Sequence, residues 1–250
     1  MTFVNDELKT FFSNLTQPNV LTFLEAMKMM GVRRNIPNIS WETARFMIQT
    51  LQKRTVSHIL EIGPANGFST IMLALACPHA RISSVECSRH AFEELRHNIQ
   101  SFSLLQQRHE LLYPAELWPK VTSNICQENI SNFSLFYADA RELLPAFLHG
   151  VWELGCTNPV SILRDIPERQ FDCIFIDGAF RMTREFFDLS LPLLSPGGLI
   201  ILDDAIKYRW KMEGFHEYLE GQGIGHSLVQ TDADDGVMVI DFWNNLRKPT

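Results

Sequence analysis

Apolar residues recur at helical spacing from Phe3 to Met27, as Phe3, Leu8, Phe11 and Phe12, then Val20, Phe23, Leu24 and Met27, with a break at Pro18. Two helices are predicted, so residues 1–36 are expected to form an N-terminal helical cap, a dimer contact, or simple packing on the rest of the fold. The segment WETARFMIQTL follows, with Ser40 as N-cap and Glu42 in the first turn. At Val56 the period changes. Val56, Ile59, Leu60 and Ile62 suit a buried strand, Gly63 and Gly67 let the backbone approach a ligand, and Ser69 to Ala76 resumes a helical pattern. RISSVE (Arg81 to Glu86) reads as a second strand, followed by a helix capped by Ser88 with Phe92, Leu95 and Ile99 on one face and His90 and His97 on its solvated side. LFYADA (Leu135 to Ala140), FDCIFIDGA (Phe171 to Ala179) and LIILDD (Leu199 to Asp204) supply further strands, the second near-continuously apolar, as when helices cover both faces. RMTREFFDLSLPLL and IKYRWKMEGFHEYLEGQ read as helices, and the stretch from Gly225 to Trp243 as two strands joined by a turn at Asp234–Gly236.

Strands alternating with helices predict an α/β fold with a mostly parallel sheet. At 250 residues and 46% hydrophobic content the chain has material for a real core, and the absence of repeats or low-complexity linkers predicts one domain over 1–250. A net charge of -7 argues against a generic phosphate-binding surface. Cys77, Cys87, Cys126, Cys156 and Cys173 form no Cys-x-x-Cys pair, so reduced thiols and a cytoplasmic location are expected. Asp6 and Glu7 stand where a signal peptide would be basic, and no segment reaches membrane-spanning length.

The candidate chemistry lies at strand ends. Glu61, Glu86, Asp139, Asp177 and Asp203 all fall at or near carboxyl ends of predicted strands, where open α/β sheets bind ligands. Any one could cap the next helix, but five in one topological place point to a site. Glu86 stands about twenty positions beyond the glycine loop, where such sheets bind ribose hydroxyls, so a nucleoside is implied. The spacing Gly-x-x-x-Gly is not the dinucleotide fingerprint. Asp177 and Asp203 should end neighbouring strands ~4.8 Å apart. With Asp204 they form three like charges that would take up protons unless a hard, oxygen-liganded cation such as Mg²⁺ sat between them.

These motifs together resemble the class I S-adenosylmethionine-dependent methyltransferases, and more closely the metal-dependent O-methyltransferases of the catechol and caffeoyl-CoA type, over most of residues 37–240. The resemblance implies a doubly wound, mostly parallel seven-stranded sheet, with helices on both faces and a terminal antiparallel strand. It places Gly63, Ala65 and Gly67 along the methionine and ribose part of S-adenosylmethionine, Ser69 at the cofactor's carboxylate, and Glu86 on the ribose hydroxyls. Asp139 and Ala140 fall at adenine, and Glu61 orients the loop and the cofactor's ammonium. Ile39 or Ser40 falls near the methionine part. Asp177, Asp203 and Asp204 are the implied metal ligands, with Asp204 where the family usually has Asn. The implied reaction is methyl transfer to a hydroxyl of a small molecule held by the divalent metal, in a protein expected to be a homodimer. The chain departs from the family in two surplus stretches, near 100–132 and 149–170, which either carry specificity or decorate the surface. It also has Phe180 where the family's basic lysine stands. Lys207 is the best replacement, unless the metal suffices without a base, and Tyr208 and Trp210 are candidate pocket walls. Two other readings compete. An RNA-modifying methyltransferase would use Arg181, Arg184, Lys207, Arg209 and Lys211 as a phosphate-binding rim, and a non-catalytic cofactor-binding protein would explain the missing lysine.

Overall fold

The structure, a computed structural model, describes residues 5–106, 126–149, 171–212 and 214–242. The N-terminal helices α1 (Asp6–Leu15) and α2 (Pro18–Arg34) part where Pro18 predicts. Proline opens α2 in the first turn, where its missing N–H is no loss. Asn5 caps α1 by accepting from the Leu8 amide, and Ser40 caps α3 (Trp41–Leu51) by accepting from the Thr43 amide at 2.9 Å. The chain then runs β1 (His58–Ile62), α4 (Phe68–Ala76), β2 (Arg81–Glu86), α5 (Arg89–Gln106), β3 (Cys126–Ile130) and β4 (Phe133–Tyr137). It continues through α6 (Ala140–His149), β5 (Phe171–Ile176), α7 (Thr183–Ser190), β6 (Leu194–Leu202), α8 (Phe215–Gly221), β7 (Ser227–Gln230) and β8 (Gly236–Asp241).

The described strands form one sheet in the order β3-β4-β2-β1-β5-β6-β8-β7. The five strands from β4 to β6 are mutually parallel, and β8 runs antiparallel to β6, as expected. The described strands number eight, where seven are expected. The extra strand is β3, folded back on β4 through a two-residue turn at Ser131 and Asn132, with Ser131 at φ +55°. Part of the first surplus stretch is therefore regular structure: residues to Gln106 prolong α5, and those from Cys126 extend the sheet. The remainder of both stretches, 107–125 and 150–170, lies outside the described residues. The single helix expected over 206–222 is also corrected. A 3₁₀ turn (Arg209–Lys211) and α8 replace it, separated by Gly214 at φ +75°, a left-handed conformation that ends helical propagation.

Consecutive strand residues face opposite ways, and both faces are covered. Ile59, Phe175 and Ile201 pack with α1 to α5, whereas Leu60, Ile174 and Ile200 pack with α6 to α8. Among the described residues, no helix is long and apolar enough to cross a membrane. The N-terminal helices belong to the first core. Phe12 is fully buried, its ring 4.8 Å from Trp41, which lies 5.2 Å from Phe68 at the start of α4. Phe12→Ala should accordingly cost about 3–5 kcal/mol in urea unfolding. A loss below about 0.5 kcal/mol, the range of surface substitutions, would make α1 a dispensable cap.

Candidate functional site

Strands β1 and β5 lie side by side at the centre of the sheet, with Ile62 opposite Ile176, and the chain leaves them in opposite directions: β1 toward β2, β5 toward β6. This is the switch point of strand order, where a crevice opens beyond the carboxyl ends. Gly63 turns there at φ +85°, and a Cβ on it would lie 2.0 Å from the Asp177 carbonyl oxygen. The loop continues through Ala65 at φ +47° to Gly67 at φ +88°, where a Cβ would come within 2.8 Å of Leu95. Both glycines are thus demanded by close approach, and the loop presents main chain to the crevice.

Glu61 lies fully buried beneath this loop. The hydroxyls of Ser69, Thr70 and Ser84 each donate to its carboxylate at 2.6 Å, tying β1 to β2 and to the first turn of α4. Burial pushes its carboxyl upward, against the pull of the three hydroxyls. The Ser69 hydroxyl, expected at the cofactor's carboxylate, therefore points its proton at Glu61. Glu86 closes the other side of the loop. Its two oxygens accept from the amides of Ala65 at 3.1 Å and Ser88 at 2.7 Å, which fix the carboxylate's direction, while burial raises its pKa. Asp139, two residues past β4, accepts from the Arg141 side chain at 2.5 to 3.2 Å and from the Arg141 amide at 2.9 Å. That guanidinium holds its carboxyl low. Ala140 opens α6 beside it and is buried.

Across the switch point, Asp177 and Asp203 are the first residues beyond the paired ends of β5 and β6, and Asp204 follows at φ +55°. One carboxylate oxygen from each lies within 4.8 Å of the others. Burial, then mutual repulsion, raises Asp177 well above the usual carboxylate range. Burial likewise lifts Asp203 to about 7. Asp204 rises to about 8, through burial and a carboxyl–carboxylate hydrogen bond with Asp235. Asp235 is kept low despite its own burial, since it also accepts from the amides of Lys207 at 3.0 Å and Gly236 at 2.7 Å. Such a set is neutralised by protons or by a hard cation, and three converging carboxylate oxygens suit Mg²⁺.

Beside the cluster, Phe180 stacks on Tyr208 with ring centroids 4.5 Å apart. Lys207 is exposed, with Nζ 5.5 Å from the Tyr208 ring centroid, and its charge pulls the Asp204 carboxyl down. Of the five rim cations, Arg184 is engaged by Asp188 at 3.7 Å and by the Tyr218 ring, and Lys211 lies 4.1 Å over Tyr208. Four contributors escaped sequence reasoning. Ser84 and Thr70 look like ordinary strand and helix residues until Glu61 is seen between them. Asp235 reads as a turn residue, and only the fold carries that turn to Asp204. Lys28, on α2, approaches Asp203 electrostatically, and nothing local in the sequence signals it.

Residues 60–205 match the family model described as a methyltransferase domain. Among solved structures, the chain resembles an O-methyltransferase from Bacillus cereus in complex with SAH at 20% identity and a TM-score of 0.64, over 88% of this chain and 90% of that one. The O-methyltransferase TomG from Streptomyces achromogenes, involved in tomaymycin synthesis and in complex with SAM, matches at 18% identity and TM-score 0.64, covering 96% and 99%. The SAH-bound Podospora anserina methyltransferase PaMTH1 matches at 16% identity and TM-score 0.60, covering 96% and 97%. At these identities the likeness is one of fold.

The acidic cluster carries a pH signature. In chelator, its carboxyls hold protons in the folded chain up to about pH 7 and 8 for Asp203 and Asp204. Unfolded aspartates release them near pH ~3.9. The folded state thus binds the extra protons between these limits, and the cluster's contribution to stability falls as pH rises from about 4 toward 8. Thermal melts from about pH 5 to 9 should show the parent losing stability relative to the Asp177→Asn/Asp203→Asn/Asp204→Asn variant as pH rises. Mg²⁺ should recover that loss at about pH 8 and have little effect at about pH 5. Parallel curves for parent and variant would contradict the clustering.

Proposed function

Because the chain belongs to the methyltransferase-domain family, we propose that it is an S-adenosylmethionine-dependent O-methyltransferase, acting on a hydroxyl of a small molecule at a divalent-cation site formed by Asp177, Asp203 and Asp204. The observation that carries this reading is the contact of Gly63 with Asp177. It sets a nucleoside-type loop and a three-carboxylate cluster on one crevice wall, as a transfer between two bound partners requires.

S-adenosylmethionine supplies an electrophilic methyl on a sulfonium, and the cation lowers the pKa of a hydroxyl near it. Every other task falls to this chain. Glu86, its carboxylate aimed by the Ala65 and Ser88 amides, has lone pairs left for a vicinal pair of ribose hydroxyls. Gly63, Ala65 and Gly67 let the cofactor lie against main chain. Asp139 and Ala140 take the adenine side, with the Asp139 carboxylate shared between Arg141 and the exocyclic amine. Ser69 acts from beneath, through Glu61, to hold the loop's shape. Phe180 and Tyr208 wall the acceptor's side and limit water. Lys207 assists by its charge beside Asp204 and is not a required base. The ion pair of Arg184 with Asp188 and the ring contact of Lys211 with Tyr208 engage two of the five rim cations within the protein, which favours a small acceptor over a phosphate backbone.

Calorimetry tests the cofactor half. Glu86→Ala should weaken S-adenosylmethionine binding by about tenfold or more, the worth of a charge-assisted hydrogen bond, and equal affinity in parent and variant would misplace the site. With an acceptor found by screening, Lys207→Met should slow turnover by about tenfold, whereas loss of a committed base costs about 10²- to 10⁴-fold. A thousandfold drop would make Lys207 the base. Chelator should abolish transfer and spare cofactor binding; full turnover in chelator would remove the cation from the reaction.

A further inference from the structure

Lys28 lies in α2, yet its ammonium leaves that helix for the strap that joins α2 to α3. Nζ donates to the carbonyl oxygens of Asn38 at 3.3 Å and of Ile39, and stands 5.2 Å from the centroid of the Phe68 ring. Phe68 directly follows Gly67 and opens α4, so the ammonium sits at the exit of the glycine loop. The strap has little room to shift. The Ile36 amide donates to the Gly31 carbonyl at 2.9 Å, and a Cβ at Gly31 would fall 2.4 Å from the Asn38 side chain.

Its far end reaches the acidic cluster's support. Thr43, in the first turn of α3, shares a hydrogen bond with Thr231 through their hydroxyls at 2.7 Å. The Thr231 amide donates to the Asp235 carbonyl at 3.1 Å, and the Asp235 side chain receives the Lys207 amide beside Asp204. One segment therefore spans from the glycine loop to the residues behind the carboxylates. Burial lowers the Lys28 pKa, and Glu42, Asp203 and Asp232 face the ammonium and offset that cost. A half-buried ammonium bonded to two main-chain carbonyls is expensive as mere packing, because an apolar side chain of the same length would fill the space without desolvating a charge.

We propose that Lys28 is a positioning residue of the site: its ammonium latches the Asn38–Ile39 strap onto Phe68 and so holds the cofactor loop in register with the acidic cluster. This rests on the function proposed above only for the identity of the ligand. The latch acts through the strap, and its loss should loosen both the strap and the ligand's grip.

The test compares the full-length parent with Lys28→Met, which keeps the stem and removes the charge, and Lys28→Arg, which keeps the charge. Hydrogen exchange is read at the Thr43 and Ala44 amides, both bonded to Ser40, and S-adenosylmethionine affinity by calorimetry. Lys28→Met should speed exchange at these amides and weaken the cofactor by about tenfold each, the worth of hydrogen bonds to a charged group, with Lys28→Arg recovering most of both. Unchanged exchange in Lys28→Met would overturn the latch. Faster exchange with unchanged cofactor affinity would overturn its link to the site. If the parent itself does not bind S-adenosylmethionine, the proposed function fails, and the exchange comparison still decides whether Lys28 holds the strap.

Discussion

A main-chain carbonyl, that of Asp177, occupies the space a side chain at position 63 would need. Only glycine tolerates both that contact and the left-handed turn, so β1 and β5 can meet closely where the chain's two directions of winding diverge. The loop above β1 and the acidic residue ending β5 consequently share a wall and cannot be displaced independently. The amide of Asp177 donates to Ile62 and that of Gly63 to Val85, which carries the constraint across three neighbouring strands.

Around that contact the molecule buries carboxylates in two ways. At Glu61, three hydroxyl donors converge on one carboxylate, and the group becomes an internal tie between β1, β2 and α4. At Asp177, Asp203 and Asp204, carboxylates crowd together in a buried place, and burial with the neighbouring acidic charges raises the proton affinity of all three. Burial is common to both; the donors differ. A carboxylate supplied with donors is structural, whereas a group of carboxylates short of them retains capacity for protons or a cation. Asp235 adjusts this balance, since its acceptance of the Lys207 and Gly236 amides makes it the charged partner of Asp204.

The N-terminal helices join the same frame. Phe12, Trp41 and Phe68 form a line of edge-on rings from α1 to the first residue after the glycine loop. Lys28 enters from α2 over the same Phe68 ring. Residues 5–34 are therefore continuous with the sheet's core on one side and adjacent to the crevice on the other, and the strap after them links the two halves of the site.

Much of this was legible in the chain, because periodicity and local stereochemistry are short-range. Pro18, Ser40 and Ser88 mark helix starts, the apolar runs at 59–62 and 171–176 mark buried strands, and acids at strand ends mark the crevice side. Those residues act through neighbours within a few positions or through the pleat's fixed period. Other features depend on which strands pair and which turns meet, and no local pattern encodes that. Ser84 becomes a partner of Glu61 only because β2 lies beside β1. Asp235 reaches Asp204 only because β8 returns antiparallel to β6. Lys28 finds carbonyls ten and eleven residues away because the strap folds back on its own helix. By itself the sequence determined the elements and the chemical types at their ends. Tertiary structure alone decided which polar groups far apart in the chain satisfy one another, since a hydrogen bond requires its atoms to lie about 3 Å apart whatever their separation along the chain.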